Sequence, residues 1–445
     1  MQEKQAGQRT NTNKEYCGKN AGGIQMKTIR QIQDVPVKGT YDVAVAGGGL
    51  SGVAAALAAG RRGKSVLLVE KQCWLGGLAT SGIVNYWVPL CNGRGKMIIK
   101  GMAEEFLRLS VSIGFDDFPA SWKDGEPDHP TNERCVSHFS SGLFALQLFK
   151  LLTDHGVTVL YDALITGVEM AEGHCSGLYI DGKSGRYFYE AGVVVDATGD
   201  ADVLHMAGVP TVDGENYFTY YGEGITLAGC KRALEKGNVW YAYNRPGGGP
   251  ANLYGGGHPE GKPTYKGISL EVVNEYLREN QLLMLEKEKD KPRMERNAHM
   301  LPGMPQFRTS RRIDGDATLT GEDRYRHVET SIGAICDFET RDWLYEVPFG
   351  TLVRTGFDNL ITCGRSASAS GWGWDVLRVI PPAILTGQAA GIAAAMSLDN
   401  EVPIAQVDVA ILQQALADTG VIIHFDDAWV PENDGNEKAP IPGHI

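Results

Sequence analysis

Residues 41–52, YDVAVAGGGLSG, constrain the fold more than any other stretch of the chain. The small and β-branched residues 43–46 predict a short buried parallel strand, and an alanine-rich segment after residue 52 predicts a helix. Between them, Gly47, Gly49 and Gly52 stand at G-x-G-x-x-G spacing. Such glycines permit a tight turn, close approach of backbone to a pyrophosphate, and close packing of helix on strand. The pattern predicts a βαβ nucleotide-binding unit with the pyrophosphate at the helix N-terminus.

A carboxylate follows at the position that this unit requires. The next apolar run, residues 66–69, ends in Glu70, eighteen residues after Gly52. A carboxylate there accepts hydrogen bonds from the adenosine ribose hydroxyls. The alternative is a glycine-rich turn beside a solvated glutamate, and the full order of strand, glycines, helix, strand and glutamate favours the nucleotide site.

Two later segments extend the predicted nucleotide fold. Residues 193–200, VVVDATGD, predict a buried strand whose small C-terminal residues leave space for a nucleotide. Residues 379–396 predict a long buried helix with Pro381 and Pro382 in its first turn. The small residues Gly387, Ala390, Gly391 and Ala394 form one face of this helix, which permits close approach to a sheet.

Composition excludes several classes of protein. The formal net charge of −12 argues against a nucleic-acid partner, whose phosphates would be repelled. The eight cysteines form no CxxC pair and no Cys/His cluster, so we expect a reducing compartment and no metal. No apolar signal sequence precedes residue 26, and prolines and glycines interrupt the most apolar window, 379–396. We therefore expect a cytoplasmic protein with no membrane span.

A chain of 445 residues is long for one domain, and residues 207–340 differ in sequence pattern from the rest, so we expect two domains. We predict an α/β fold: a discontinuous Rossmann-type domain at 37–206 and 341–425, interrupted by an α+β substrate or capping domain at 207–340. Residues 1–36 are predicted to be a flexible extension, and residues 426–445 a surface tail.

The order of segments resembles a known family. GGGLSGVAAALAAGRRGKSVLLVEK, LGGLATSG, VVVDATGDADVLHMAGVP, NLITCGRSAS and RVIPPAILTGQAAGIAAA follow one another across residues 41–420. Together they are similar to the FAD-dependent oxidoreductases related to the fumarate reductase and succinate dehydrogenase flavoproteins. This resemblance implies an FAD domain interrupted by a substrate domain. It places at the cofactor Gly47, Gly49, Gly52, Glu70, Lys71, Gly76, Gly77, Thr80, Leu164, Ala197, Thr198, Gly199, Asp200, Gly364, Arg365, Ile380 and Pro381.

The sequence departs from the family pattern at two points. Many relatives carry an acid after the glycine that corresponds to Gly364, where this chain has Arg365. No histidine stands near Gly76, where covalently flavinylated relatives carry their attachment residue. The resemblance therefore implies noncovalent FAD.

The expected reaction moves a hydride between flavin N5 and a small organic substrate, with the helix near Ile380 stabilising charge on the reduced flavin. Arg378 lies where relatives place an arginine near the substrate, and it could orient an anion; a structural salt bridge is the competing interpretation. His205 and His327 are candidate acid–base groups, although lone histidines are more often structural.

Two other functions remain open at this point. One is an NAD-dependent dehydrogenase with the same N-terminal fingerprint, which would not need the ATGD strand or the C-terminal unit. The other is a flavin-binding subunit without turnover of its own. No second unit for NAD(P)H is visible, so the electron donor or acceptor is unidentified.

Overall fold

The computed structural model describes residues 17–19, 25–27, 29–115 and 117–432. Most of the predicted N-terminal extension and of the predicted C-terminal tail lies outside these residues. Within the extension, strands Cys17–Lys19 and Gln25–Lys27 pair antiparallel.

A seven-stranded sheet forms the centre of the molecule. Its strands are β1 (Val37–Ala46), β2 (Val66–Val69), β3 (Thr158–Leu160), β4 (Leu164–Ala171), β5 (His174–Gly182), β6 (Gly185–Asp196) and β7 (Leu360–Thr362). They lie in the order β3-β2-β1-β6-β5-β4, and β7 also pairs with β6. The strands β3, β2, β1, β6 and β7 run parallel, whereas β4 and β5 continue from β6 as an antiparallel pair.

Strand β6 uses one edge for two partners. Its first half pairs antiparallel with β5, and its last three residues, 194–196, pair parallel with β7 at 360–362. The chain therefore leaves the sheet after residue 196 and returns to the neighbouring position at residue 360. This arrangement confirms the predicted α/β class and a sheet completed from two distant parts of the sequence.

Nine α-helices lie within the described residues: α1 (Leu50–Arg61), α2 (Met102–Ser112), α3 (Ser141–Asp154), α4 (Asp202–Met206), α5 (Leu227–Lys236), α6 (Leu270–Lys289), α7 (Trp372–Leu377), α8 (Ile380–Asn400) and α9 (Val409–Ala417). The helix predicted at 379–396 is α8, and Pro381 and Pro382 stand in its first turn as expected.

The glycines of α8 pack against α1, not against the sheet, so the predicted partner of this face was wrong. A Cβ at Gly387 would lie 2.1 Å from the Ser51 carbonyl oxygen, and one at Gly391 would lie 2.2 Å from that of Ala55. Both distances are far below van der Waals contact. Only glycine lets the two helix backbones approach this closely.

Short antiparallel pairs make up the remaining strands: Tyr86–Trp87 with Ser137–His138, Thr211–Asp213 with Arg311–Ile313, Thr219–Tyr221 with Gly247–Pro250, Gly224–Ile225 with Tyr243–Asn244, and Ser331–Cys336 with Leu344–Pro348. Aromatic residues of the middle segment (residues 207–340), such as Tyr220, Tyr276 and Phe307, form a small core of their own. The hairpin at 331–348 packs instead in the main core beside α1 and α8. The predicted domain boundary at 340/341 falls within this hairpin, and the domain division itself stays a prediction.

Candidate functional site

A cleft opens at the carboxyl ends of the parallel strands β1, β2 and β6. The segments that follow these strands line it, at residues 47, 49–51, 69–72 and 197–199. Ligands of open α/β sheets bind at this edge, because the loops and helix N-termini that follow the strands converge there.

The three positions of the first turn are occupied by glycine for different structural reasons. Gly47 has φ +102°, and a Cβ there would lie 2.5 Å from the Ala197 carbonyl oxygen. A Cβ at Gly52 would lie 1.9 Å from the Gly47 carbonyl oxygen. By contrast, a Cβ at Gly49 would meet nothing within 4 Å. Gly47 and Gly52 are therefore required by packing, whereas Gly49 borders open space.

That open space lies at the N-terminus of α1. Gly49 is the N-cap, no side chain caps the helix, and the first turn contains no acidic residue. The first amides of a helix need acceptors, and the helix dipole adds partial positive charge. The cradle therefore suits an anionic group such as a pyrophosphate.

Glu70 is buried at the end of β2, with only 6% of its surface exposed. Its Oε2 accepts a hydrogen bond from the Gly48 amide at 2.6 Å, and its Oε1 accepts one from the Gln72 amide at 2.7 Å. The carboxylate thus joins the glycine turn to the loop after β2. Each oxygen keeps a second lone pair, so a ribose hydroxyl could still donate to it.

The loop at 76–80 only partly matches the prediction. Gly76 and Gly77 line the cleft, and the Gly76 amide donates to the Gly48 carbonyl oxygen at 2.8 Å. Thr80 is buried instead, and its hydroxyl donates to the Leu75 carbonyl oxygen at 2.6 Å. Leu164 lies at the other side of the cleft with 54% of its surface exposed.

Asp196, which the sequence analysis did not single out, shapes the turn after β6. Its Oδ1 accepts from the amide and hydroxyl of Thr198 at 3.0 and 2.7 Å, and its Oδ2 accepts from the Leu204 amide at 2.9 Å. Burial raises its pKa to about 6, against the lowering effect of these hydrogen bonds. Its position as the last residue of a buried strand is the signal that could have found it.

Arg365 joins this turn to the middle segment. Its guanidinium donates to the Gly199 carbonyl oxygen at 2.7 Å and to the Asp200 carboxylate at 2.6 Å. It also donates to the Phe307 carbonyl oxygen. The arginine that replaces the expected acid is therefore a clamp between the two parts of the chain. Asp200 is engaged in this clamp and does not line the cleft.

The N-terminus of α8 forms the far wall of the cleft, where Ile380 and Ala383 line it. Of the first three residues of α8 only Ile380 carries an N–H, because Pro381 and Pro382 have none. Gly364 lies behind this wall, where its amide donates to the Thr386 hydroxyl at 2.9 Å. The helix thus offers one amide and its dipole to a ligand.

Arg378 lines the cleft and is also paired. Its guanidinium contacts Asp375 Oδ1 at 3.0 Å from Nε and at 2.5 Å from Nη2. A second arginine, Arg308, has its pKa lowered by burial and, to a smaller degree, by the charge of Arg378. Its guanidinium donates to the Asn252 carbonyl oxygen at 3.0 Å, and Arg308 is not among the residues that line the cleft. Arg308 sits in an irregular segment, and no sequence pattern marked it.

The candidate histidines do not line the cleft. His205 is exposed in the last turn of α4, although its neighbour Met206 does line the cleft. His327 contacts Glu346 Oε1 and Asp427 Oδ1, in a separate part of the molecule. Geometry therefore offers no support for an acid–base role of either residue.

Most of the predicted site residues come together in this one cleft. Those that line it are Gly47, Gly49, Glu70, Lys71, Gly76, Gly77, Leu164, Ala197, Thr198, Gly199, Arg365, Arg378 and Ile380. Those behind its wall or elsewhere are Gly52, Thr80, Asp200, Gly364, Pro381, His205 and His327. Within the described ranges, no helix has the length and apolar character needed to cross a membrane.

Comparison with known proteins adds the following similarities. The sequence profile described as FAD dependent oxidoreductase matches residues 42–248 and 268–416. No curated protein is significantly similar in sequence. Among solved structures, the Mycobacterium smegmatis Sdh1 complex in the apo form is 15% identical, with a TM-score of 0.43 over 85% of this chain and 72% of that chain.

Two further solved structures are similar at the same level. L-proline dehydrogenase from P. horikoshii is 13% identical, with a TM-score of 0.40 over 87% of this chain and 100% of that chain. The open conformation of a flavocytochrome c3 fumarate reductase is 15% identical, with a TM-score of 0.38 over 81% of this chain and 78% of that chain.

Proposed function

We propose that this chain, which belongs to the FAD-dependent oxidoreductase family, holds its FAD noncovalently in the cleft and acts on a small anionic organic substrate. Bound FAD would supply the hydride acceptor or donor at N5. The observation that carries the proposal is the open cradle at Gly49, above the uncapped N-terminus of α1 and beside Glu70.

Each wall of the cleft has a proposed role. The turn at Gly47 and Gly49 and the first amides of α1 would bind the pyrophosphate, and Glu70 would accept from the ribose. Ile380, at the N-terminus of α8, would face the part of the flavin that gains negative charge. Residues 71–82 contain no histidine, which supports a cofactor without a covalent bond to this loop.

Arg378, which lines the cleft, would bind the substrate. A guanidinium orients a carboxylate through two parallel hydrogen bonds. A guanidinium that lines the cleft favours an anion over a neutral substrate, because it supplies charge and paired donors. Family membership sets aside the NAD-dependent alternative. A flavin-binding subunit without turnover is an outcome of the experiment below.

The experiment is purification followed by an absorbance scan and anaerobic mixing with a panel of small carboxylates. We expect a yellow protein that releases unmodified FAD on acid denaturation and whose flavin absorbance bleaches with one class of carboxylate, or reoxidises with it after chemical reduction. Flavin that precipitates with the chain would contradict noncovalent binding. Redox inertness toward every tested carboxylate, with FAD bound, would contradict the proposed substrate class.

A matched pair of variants tests the cradle itself. Gly49→Ala meets no atom of the protein within 4 Å, so we expect a normally folded chain whose added methyl group blocks the pyrophosphate and abolishes FAD binding. Gly52→Ala collides with the Gly47 carbonyl oxygen and should instead lower the stability of the chain. Thermal unfolding and flavin content separate the two effects. Full FAD content in Gly49→Ala would place the pyrophosphate elsewhere.

A further inference from the structure

Three side chains outside the cleft converge on one point: His327, Glu346 and His424. His327 Nδ1 lies 2.6 Å from Glu346 Oε1, and His424 Nδ1 lies 2.8 Å from Glu346 Oε2. One ligand atom from each residue lies within 4.8 Å of the others. The Glu346 side chain is fully buried, whereas each imidazole is 45% exposed. The cluster thus has a fixed carboxylate inside and two half-exposed imidazoles whose Nδ1 atoms face it.

Hydrogen bonds hold the segment that carries His424 against the hairpin that carries Glu346. Glu346 lies in strand Leu344–Pro348, directly opposite Ala334 on strand Ser331–Cys336. The Ala334 amide donates to the Ile422 carbonyl oxygen at 2.7 Å, and the Ser331 hydroxyl donates to the Ile423 carbonyl oxygen at 2.7 Å. The segment that carries His424 is therefore fastened beside the hairpin independently of the imidazoles.

A second carboxylate orients one of the two histidines. Asp427 Oδ1 lies 2.9 Å from His327 Nε2, the nitrogen that faces away from Glu346. The ring of Phe425 stacks on the same imidazole at 4.4 Å between centroids. In metal sites, a ligating histidine almost always donates its other N–H to a carboxylate, carbonyl or water, which fixes the tautomer. His327 has this arrangement, with Nδ1 directed at the cluster.

We propose that His327 Nδ1, His424 Nδ1 and the Glu346 carboxylate bind one divalent transition-metal ion of the zinc type. Imidazole nitrogen and carboxylate oxygen are the donors that such ions take in proteins. Tetrahedral ligands about 2.1 Å from zinc are about 3.4 Å apart. The two imidazole nitrogens lie 2.6 and 2.8 Å from opposite oxygens of Glu346, so both would move away from the carboxylate to admit the ion. The sequence predicts no metal here, because the three ligands are far apart in the chain and form no spaced motif.

The ion would bridge three segments of the chain: the loop before residue 331, the hairpin and the segment after α9. None of the three ligands lines the cleft. Both imidazoles are half-exposed, so an ion can enter from solvent, and a water molecule can complete the coordination. The expected role is structural, and the proposal does not depend on the cofactor.

The experiment uses the full chain with bound FAD, without a histidine tag and after treatment with a chelator. We expect calorimetric titration with Zn²⁺ to reveal one site, Zn²⁺ to raise the melting temperature, and Co²⁺ to give visible d–d absorption. His424→Ala should weaken Zn²⁺ binding by at least about tenfold, and Asp427→Asn by about 10- to 100-fold. Both side chains are exposed enough for these variants to fold.

His205→Ala is the matched control, because His205 is an exposed histidine outside the cluster. It should bind Zn²⁺ like the parent protein. Absence of a stoichiometric site would overturn the proposal, as would equal losses of binding in His205→Ala and His424→Ala. A melting temperature that depends on pH but not on Zn²⁺ would identify the cluster as a set of ion pairs and would also overturn it.

Discussion

Two structural features of Arg378 favour different roles for this residue. It lines the cleft, as a substrate-binding residue would, and it pairs with Asp375. The pair is largely shielded from solvent, because the Arg378 side chain is 12% exposed and that of Asp375 25%. Breaking such a pair leaves a poorly solvated charge, so a structural role is the alternative to test against substrate binding.

We expect Arg378→Lys to keep FAD content and melting temperature close to those of the parent while turnover falls by about tenfold or more. Lysine keeps the charge but cannot reproduce the planar fork. Steady-state kinetics, flavin absorbance and thermal unfolding on the same preparation check this. Asp375→Asn, which removes the ion pair but keeps the guanidinium, is the control and should lose less activity. A collapse of stability in Arg378→Lys, with the surviving enzyme at full rate, would make the residue structural.

Glu70 carries a second prediction at this scale. Glu70→Ala removes the acceptor of the Gly48 and Gln72 amides as well as the proposed ribose contact. A loss of about 1–3 kcal/mol in binding free energy corresponds to FAD affinity about 5- to 150-fold weaker. The apoprotein should also unfold at a lower temperature. Fluorescence titration with FAD tests the first effect, and unchanged affinity would mean that the carboxylate does not touch the ribose. Glu271→Ala, at an exposed position in α6, is the control.

Single residues were predictable where local geometry alone determines them. Gly47 was predicted because a tight turn with positive φ favours glycine. Glu70 was predicted because the carboxylate of such a unit stands at the end of the next parallel strand, at a set distance from the glycines. Arg308 and His424 were not singled out, and His327 was named only as a candidate acid–base group, because the surroundings of all three come from contacts between distant segments. Arg365 was singled out, but its contact with Phe307 could be learned only from the fold.

At the scale of elements, the packing of α8 on α1 depends on the absence of two methyl groups. Gly391→Ala would place a carbon 2.2 Å from the Ala55 carbonyl oxygen, so the helices must move apart. We expect a loss of about 1–3 kcal/mol in stability and weaker FAD binding, because Ile380 and Ala383 of α8 line the cleft. Chemical denaturation and FAD titration measure the two effects.

Gly142→Ala is the matched control for this element. Gly142 is exposed in α3, and a Cβ there meets nothing within 4 Å. Gly142 is in the first turn of α3, so the substitution should leave stability unchanged or raise it by less than about 0.5 kcal/mol through helix propensity. If both variants behaved alike, the close approach of α8 to α1 would not be the cause.

The long elements were easier to predict than their partners. The start and type of α8 follow from its prolines and apolar content, which are local properties. Its small-residue face indicated a close neighbour but could not say whether that neighbour was a strand or a helix. The hairpin at 331–348 was divided by the predicted domain boundary, because strand pairing depends on residues on both sides of that boundary.

At the scale of the whole molecule, the cleft is built from parts of the chain that are distant in sequence. The N-terminal strands, the middle segment held by Arg365, and α8 all contribute to it. A ligand that contacts all of them should stabilise the folded state as one unit. At a free FAD concentration 100 times its Kd, the gain is about 2.7 kcal/mol.

Removal of FAD should therefore lower the melting temperature, and added FAD should raise it again in proportion to the logarithm of its concentration. Differential scanning fluorimetry of the apoprotein with FAD tests this. Gly49→Ala should give no shift over the same range. A melting temperature that does not respond to FAD in the parent protein would contradict a cofactor held by all three parts.

The packing of α8 on α1 also governs the order of events during synthesis. Helix α1 is made near the start of the chain, at residues 50–61, but its partner lies at residues 380–400. Until the ribosome has released most of the polypeptide, the apolar face of α1 stays uncovered and the cleft lacks its far wall. FAD can therefore meet its complete site only after residues 380–400 have been made, and an uncovered apolar face favours aggregation of shorter chains until then.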